Sequence, residues 1–357
     1  MRREDLLILG GGPAGSAAAI GLARAGRRPL LLERQRETGD ALCGGFLSWH
    51  SLAALDQLGL EKLRGATVER VRLFAPAGSA SAPLPRPALS VSRRQLDSAL
   101  LAHAEALGAR IERGVLAREI EGRSVRTDGD RFEPEHLLLA TGKHDVRGCG
   151  RPRPDGDPAL GLRVRLGPAP ALTRLIEGAI ELHLFDRGYA GLVCQEDGAA
   201  NLCLAVRKSR LAEAGGPRAL IAAIGRELPA LGERFAWLAD EAEIDAIASI
   251  PYGWRATGTE AGVYRLGDQA GVIPSLAGEG MGIALASGAA AAAAVLAGED
   301  AKHFQQALAA RIRRPIAVAS GVWRLAERPP GGALLVRLMR LAPGLATLIA
   351  RATRVGH

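Results

Sequence analysis

Hydrophobic and polar positions change period several times along the chain, and each change predicts an element. Leu6 to Leu9 form an unbroken apolar run, the pattern of a parallel strand buried on both faces. A glycine turn follows, Ala17 to Ala25 read as a helix, and "RRPLLLERQ" supplies a second apolar run ending at Glu33. Leu96, Leu100, Leu101, Ala104 and Leu107 then recur at helical spacing within 90–111, Gly108 marks the stop, and Ala109 to Ile111 read as a strand. A charged, hairpin-like stretch leads into "HLLLATG", a buried strand entering a glycine turn. Much later "GVYRLGDQAG" repeats that pattern with an acid in the turn.

Between these two segments the pattern alternates. "IELHLF", "YAGLVCQ" and "NLCLAVR", separated by turn residues at 186–188 and 196–198, predict an antiparallel meander over 178–208. Residues 301–357 read as helical and studded with arginine. Within them Leu334, Leu335, Leu338, Leu341, Leu345, Leu348 and Ile349 hold amphipathic spacing, broken at Pro343, with Arg337, Arg340, Arg351 and Arg354 beside them. Such a stripe suits core packing, with its arginines in solvent. Core packing is the commoner use of such a stripe, and an apolar face resting on anionic lipid is the alternative.

The first turn carries chemistry. Gly10, Gly12 and Gly15 fit G-x-G-x-x-G, which brings backbone against a pyrophosphate at a helix N-terminus. Glu33 lies 18 residues past Gly15, near the place where an acid takes ribose hydroxyls. Arg34 either braces an adenosine or is a solvated charge. Strand, turn, helix, strand and acid together predict a dinucleotide site, and by themselves do not separate NAD from FAD.

Composition narrows the setting. With 357 residues, 48% of them hydrophobic, the chain can bury a large core in one large or two interleaved domains. The net charge of +8 is spread among acids along the chain and aromatics make up only 4%, so no nucleic-acid partner is expected. Cys43, Cys149, Cys194 and Cys203 form neither a C-x-x-C pair nor a metal-ligand cluster. No metal is expected, and a reduced cytoplasmic setting is. The Ala-rich run over 282–298 is short of a membrane span and reads as a buried helix.

Five segments in order, "GGGPAG" with "LLLERQ", "CGGFLS", "SRRQLD", "LLLATG" and "GDQAGVIPSLAGEGMGIALASG", give the chain a resemblance over nearly its whole length. It resembles the FAD-dependent oxidoreductases of the geranylgeranyl reductase and p-hydroxybenzoate hydroxylase-like superfamily. The resemblance implies an α/β fold: a Rossmann-like, glutathione reductase-like FAD-binding domain over 1–150 and 256–300, an inserted antiparallel-sheet substrate domain over 151–255, and C-terminal helices over 301–357. It also implies FAD held by Gly10, Gly12, Pro13, Ala14 and Gly15 at the pyrophosphate and by Glu33 and Arg34 at the adenosine. Arg93 would meet the phosphates or ribityl chain and Asp268 a ribityl hydroxyl. Cys43, Gly44, Thr141, Gly142, Gly278, Gly280 and Met281 would lie around the flavin.

The implied activity is a monooxygenase that hydroxylates a hydrophobic aromatic or polyketide-like substrate through a flavin hydroperoxide. The alternatives are a reductase of prenyl double bonds and a non-catalytic FAD-binding protein. No catalytic residue is assigned; Cys43 and His50 are the candidates, with Tyr189 and Trp254 as further pocket residues. Where the aromatic hydroxylases carry an Asp-Gly pair, this chain has Thr141-Gly142. Use of NAD(P)H as donor is therefore left open, as is a separate electron-donor protein. Lys143 and Arg147 either attract a phosphate-bearing donor or are surface charges. Peripheral membrane contact through 331–354 is open on the same terms.

Overall fold

The structure, a computed structural model, describes residues 1–60 and 63–355. The first apolar run forms the buried end of β1 (Arg2–Leu9), followed by α1 (Pro13–Arg24), β2 (Leu30–Glu33), β3 (Phe46–Leu47), α2 (Trp49–Gln57) and β4 (Ala66–Ala75). Next come β5 (Gly78–Ser90), α3 (Arg93–Ala106), β6 (Arg110–Arg113), β7 (Ala117–Glu121), β8 (Ser124–Thr127), β9 (Arg131–Leu139), β10 (Ala159–Leu166) and α4 (Pro170–Ile176). The meander is β11 (Gly178–Phe185), β12 (Gly188–Cys194) and β13 (Ala200–Arg207). After it follow α5 (Lys208–Ala214), α6 (Pro217–Glu227), α7 (Pro229–Arg234), β14 (Asp245–Ile250) and β15 (Val263–Arg265). The helices α8 (Gly280–Leu296), α9 (Ala301–Ala326), α10 (Pro329–Leu341) and α11 (Pro343–Ala352) complete the chain. The last two residues of the expected 301–357 segment lie outside the described residues.

The first sheet has seven strands in the order β6-β2-β1-β9-β8-β7, with β15 added against β9. Strands β6, β2, β1, β9 and β15 run parallel. Because the chain leaves β1 to one side for β2 and later fills the other side with β9, a crevice opens at the carboxyl end of β1. The glycine turn sits there. α1 begins at Pro13, ahead of the expected Ala17, because proline's fixed φ suits the first helical turn directly after the glycines.

The Ala-rich run is α8, packed on α1 at unusually close range. A Cβ at Gly288 would lie 2.1 Å from the Ala14 carbonyl oxygen, and one at Gly21 would lie 2.7 Å from the Ala292 Cβ. Small side chains are what let the two backbones approach.

The second sheet has eight strands, β14-β10-β13-β12-β11-β4-β5-β3, antiparallel except where β11 meets β4. Three of its strands, β3, β4 and β5, come from within residues 1–150, so this sheet draws on more of the chain than the 151–255 insertion. Alternation on β11 divides its faces. Ile180, Leu182 and Leu184 point to one side; Glu181, His183 and Phe185 point to the other, where α4, α6 and α7 cover them.

The covered face buries charge. Glu181 accepts both Arg234 Nε and Nη2 at 3.0 Å and pairs with His183 Nε2 at 3.1 Å, while the His183 ring stacks on Phe74. Burial holds His183 below its ordinary pKa of 6.5, outweighing the pull of Glu181. Burial would raise Glu181, but bonds from His183 and Arg234 together bring it below 4.5. Both groups take up protons more readily when unfolded, so both stabilise the fold at neutral pH and lose that contribution as pH falls. The melting temperature is expected to fall from about pH 6.5 downward, where the unfolded His183 begins to charge. In His183→Gln the slope between about pH 6.5 and 5 should flatten while the steeper loss below about pH 4.5 remains. An unchanged slope in that variant would show that His183 does not drive the acid response.

Candidate functional site

Steric limits fix the glycine turn. Gly10 has φ +103°, and a Cβ there would lie 2.4 Å from the Ala140 carbonyl oxygen; at Gly15 a Cβ would lie 2.0 Å from the Gly10 oxygen. Gly12 differs. A Cβ on it meets only Arg93 Nη2, at 3.3 Å, among the described residues, so the turn leaves room above it. Gly12 precedes α1 without a side-chain cap, and Gly12, Pro13 and Ala14 line a cavity of about 360 Å³. The open N–H groups of a helix start, facing a space with Arg93 across it, suit a pyrophosphate.

Glu33 supports this turn from the end of β2. Its Oε2 accepts the Gly11 N–H at 2.7 Å and its Oε1 the Gln35 N–H at 2.8 Å. Arg34 is exposed and does not line the cavity. Arg93 opens α3, its N–H donated to Asp40 Oδ1 at 2.8 Å and its guanidinium held in bidentate fashion by Asp97 at 2.9 and 2.7 Å. Burial opposes its charge, but Asp97 outweighs it and keeps the side chain protonated.

The remaining predicted residues converge from distant segments. Asp268 lies in the turn after β15, at the cavity wall, and its carboxylate has no hydrogen bond or ion pair among the described residues. Gln269 Nε2 donates to the carbonyls of Gly142 at 2.9 Å and His144 at 3.1 Å, tying that turn to the one after β9. The Thr141 hydroxyl is spent on the His144 carbonyl at 2.7 Å, while Lys143 Nζ donates to the Leu42 carbonyl and Arg147 pairs with Glu119 at the surface. Gly278, with φ +62°, Gly280 and Met281 bring the start of α8 to the cavity.

Cys43 and Gly44 line the same space. The Cys43 carbonyl is held by Asn201 Nδ2 at 2.8 Å and Cys203 Sγ at 3.1 Å. Burial pushes the Cys203 thiol up to about 12. Tyr189 also reaches the cavity. His50, on α2 beside the Trp49 ring, and Trp254 do not line it.

Sequence reasoning found Tyr189 but missed Tyr252 and Arg354. Tyr252 and Tyr189 both hydrogen-bond to Ser275 Oγ, at 2.6 and 2.8 Å, forming a short polar chain in the cavity wall. Burial pushes Tyr252 up to about 12 and Tyr189 well above 10, so both remain protonated phenols. Trp254, the aromatic of "IPYGWR" expected at the pocket, lies two residues past Tyr252, the one that takes part.

The second missed residue is Arg354. Expected in solvent, it is buried: its guanidinium pairs with fully buried Glu279 and donates to the carbonyls of Ala277 at 3.0 Å and Gly278 at 3.2 Å. The C-terminus thus fastens the loop that leads into α8.

Most of the remaining cavity lining is aliphatic, with Phe46, Cys203 and Thr353 interspersed. Val71, Leu73, Ile180, Leu182, Leu184 and Val193 come from the second sheet. Leu335, Leu338, Met339, Leu345 and Ile349 come from α10 and α11. Arg93, Lys143, Asp268 and Arg354 are its charged lining residues among those described, and none belongs to these two walls.

Comparison with known proteins identifies the cofactor. The FAD binding domain family matches residues 3–148. A menaquinone reductase of Mycobacterium tuberculosis is 28% identical, over 98% of this chain and 88% of that protein. Among solved structures, a geranylgeranyl bacteriochlorophyll reductase-like protein from Thermoplasma acidophilum has a TM-score of 0.74 at 18% identity, covering 99% of this chain and 97% of its own. The flavin-dependent brominase Bmp2 has a TM-score of 0.78 at 17% identity, covering 98% of this chain and 93% of its own. These two share the fold. The room above Gly12, the open start of α1 and the unpartnered Asp268 carboxylate fit the group that such a domain holds. Residues 3–148 form a domain of the FAD binding domain family, and FAD is the cofactor of this chain.

Proposed function

We propose that the chain is a flavin-dependent reductase that saturates a carbon–carbon double bond in a long prenyl lipid. The observation that carries this reading is the uncharged and predominantly aliphatic lining of the sheet and helix walls, which suits a hydrocarbon chain better than a compact polar aromatic. The names of the full-length relative and of one structural neighbour both refer to molecules that bear isoprenoid chains. When bound, FAD supplies the hydride that one carbon of the double bond takes.

The chain's own residues hold and position both partners. Gly12 to Gly15 would take the pyrophosphate, Glu33 the adenosine ribose, Arg93 the phosphates or ribityl chain, and Asp268 a ribityl hydroxyl. The start of α8, which lines the cavity, would turn its dipole toward a bound flavin and favour the negative charge of the reduced ring. Tyr189 and Tyr252, kept protonated by burial, hold the proton that the second carbon takes. Groups that stay protonated serve poorly as the base that activates a phenol for hydroxylation. The aliphatic walls exclude water.

The experiment is anaerobic and uses flavin reduced by light, which makes it independent of the natural electron donor. A polyprenyl alcohol in detergent, which has no quinone head for the reduced flavin to convert to a quinol, should gain two hydrogens by mass spectrometry, and Tyr252→Phe should slow flavin reoxidation about a hundredfold at unchanged FAD content, within the usual range for losing an acid catalyst. An oxygen-dependent product heavier by one oxygen atom would instead establish the monooxygenase reading. Flavin that neither substrate nor oxygen turns over productively would establish a binding protein.

A further inference from the structure

We infer that the elbow between α10 and α11 is a docking surface for an anionic phospholipid bilayer, placing the mouth of the aliphatic cavity against the lipid from which substrate enters. Residues 340–344 are exposed without interruption, and Leu341 at their centre is 73% exposed. Leu334 is 44% exposed and Leu348 is 62% exposed on the two helices that meet there. Of the five large hydrophobic side chains exposed among the described residues, three fall within this short segment. Scattered single leucines need no explanation, whereas a cluster at one corner does.

Charge selects the occupant. From Arg328 to the C-terminus the sequence contains no aspartate or glutamate, and Arg328, Arg337, Arg340 and Arg351 are all exposed. An apolar tip ringed by cations and free of acids matches an anionic membrane surface. Arg340 is also anchored, its Nε donating to the Ser79 carbonyl at 2.7 Å, which fixes α10 on the edge of the second sheet.

Position gives the surface its purpose. Leu335 and Leu338 on α10, with Leu345 and Ile349 on α11, turn inward and line the cavity, while Leu334, Leu341 and Leu348 of the same helices turn outward. The two helices are therefore one layer thick between the cavity and the outside. Together they are long and apolar enough to attract attention as a span, but they bend by 112°. No single helix among the described residues is long and apolar enough to cross a membrane. The bend and the inward leucines suit a re-entrant contact at the interface, not a crossing.

The purpose rests on the reductase reading, but the surface can be tested separately. The FAD-loaded protein is sedimented with vesicles of phosphatidylcholine alone or mixed equally with phosphatidylglycerol, at low and high salt. Binding to the anionic vesicles that salt weakens is expected. Arg337→Gln and Arg351→Gln should each weaken it roughly fivefold, the size expected for one cation near a charged membrane. Leu341→Asp with Leu348→Asp should abolish it while leaving FAD content and melting temperature unchanged, because both side chains already face water.

Wild-type protein that stays in the supernatant with anionic vesicles at low salt would overturn the inference. So would a dimer that the Leu341→Asp, Leu348→Asp variant dissociates in sedimentation velocity, since the elbow would then be covered by a second copy. Equal binding to neutral and anionic vesicles would remove the role of the arginines and overturn it as stated. Vesicle binding without lipid reduction would support the surface and count against the reductase. Reduction in detergent without vesicle binding would do the reverse.

Discussion

Gly12→Val is expected to give a folded, colourless protein. A Cβ at this position meets only the tip of Arg93 among the described residues, so the turn itself is not forced to change. Its side chain fills the room above the turn and blocks the approach of a pyrophosphate to the N-terminus of α1. FAD affinity should fall by at least about a hundredfold, near 2.7 kcal/mol, with the melting temperature of the FAD-free protein unchanged. Gly15→Val makes the contrasting case. Its side chain drives into the Gly10 backbone, which cannot yield without dismantling the turn, so loss of folded protein is expected. Absorbance at 450 nm and circular dichroism, measured on both variants, check the pair. A yellow Gly12→Val protein would show that the cofactor does not run over Gly12.

What the sequence made legible was local. The first strand, turn, helix and strand announce themselves because each interaction falls within some thirty residues and glycine is the one residue the turn tolerates at Gly10 and Gly15. The meander was readable because its apolar residues alternate and its turns are short. β5 was not. Its sequence, "GSASAPLPRPALS", holds three prolines and no β-branched residue, and it becomes a strand through pairing with β4 and the edge strand β3.

The leucines of 331–354 show a different limit. Their spacing predicts amphipathic helices correctly, yet one periodicity fits two faces that are both apolar. Only tertiary structure separates the leucines that line the cavity from those that meet solvent. Pairing of polar side chains across distance was hidden altogether, since nothing in the sequence links Glu181 to Arg234 or Tyr252 to Ser275.

Arg354 is the sharpest instance of such hidden pairing and gives the last expected result. Glu279, fully buried at the start of α8, accepts from the Arg354 guanidinium, from Ser48 Oγ at 3.1 Å and from the Val355 N–H at 3.2 Å. Arg354→Met should remove the one charge that compensates this carboxylate and free the carbonyls of Ala277 and Gly278. Breaking such a pair from one side costs about 3–5 kcal/mol. A fall in melting temperature of roughly 5–15 °C is expected for a chain of this size. The loop from Ser275 to Gly280 borders the cavity, so FAD should dissociate faster as well. Arg354→Lys should rescue little, because a single ammonium cannot serve a carboxylate and two carbonyls in the plane of the guanidinium fork. Glu279→Gln with Arg354→Met should be more stable than Arg354→Met alone, since no buried charge is then left unpaired. Melting curves and FAD release rates for Arg354→Met, Glu279→Gln and the double variant complete the cycle. Additive losses would mean that the two residues act independently, and that the C-terminus does not fasten the cofactor loop.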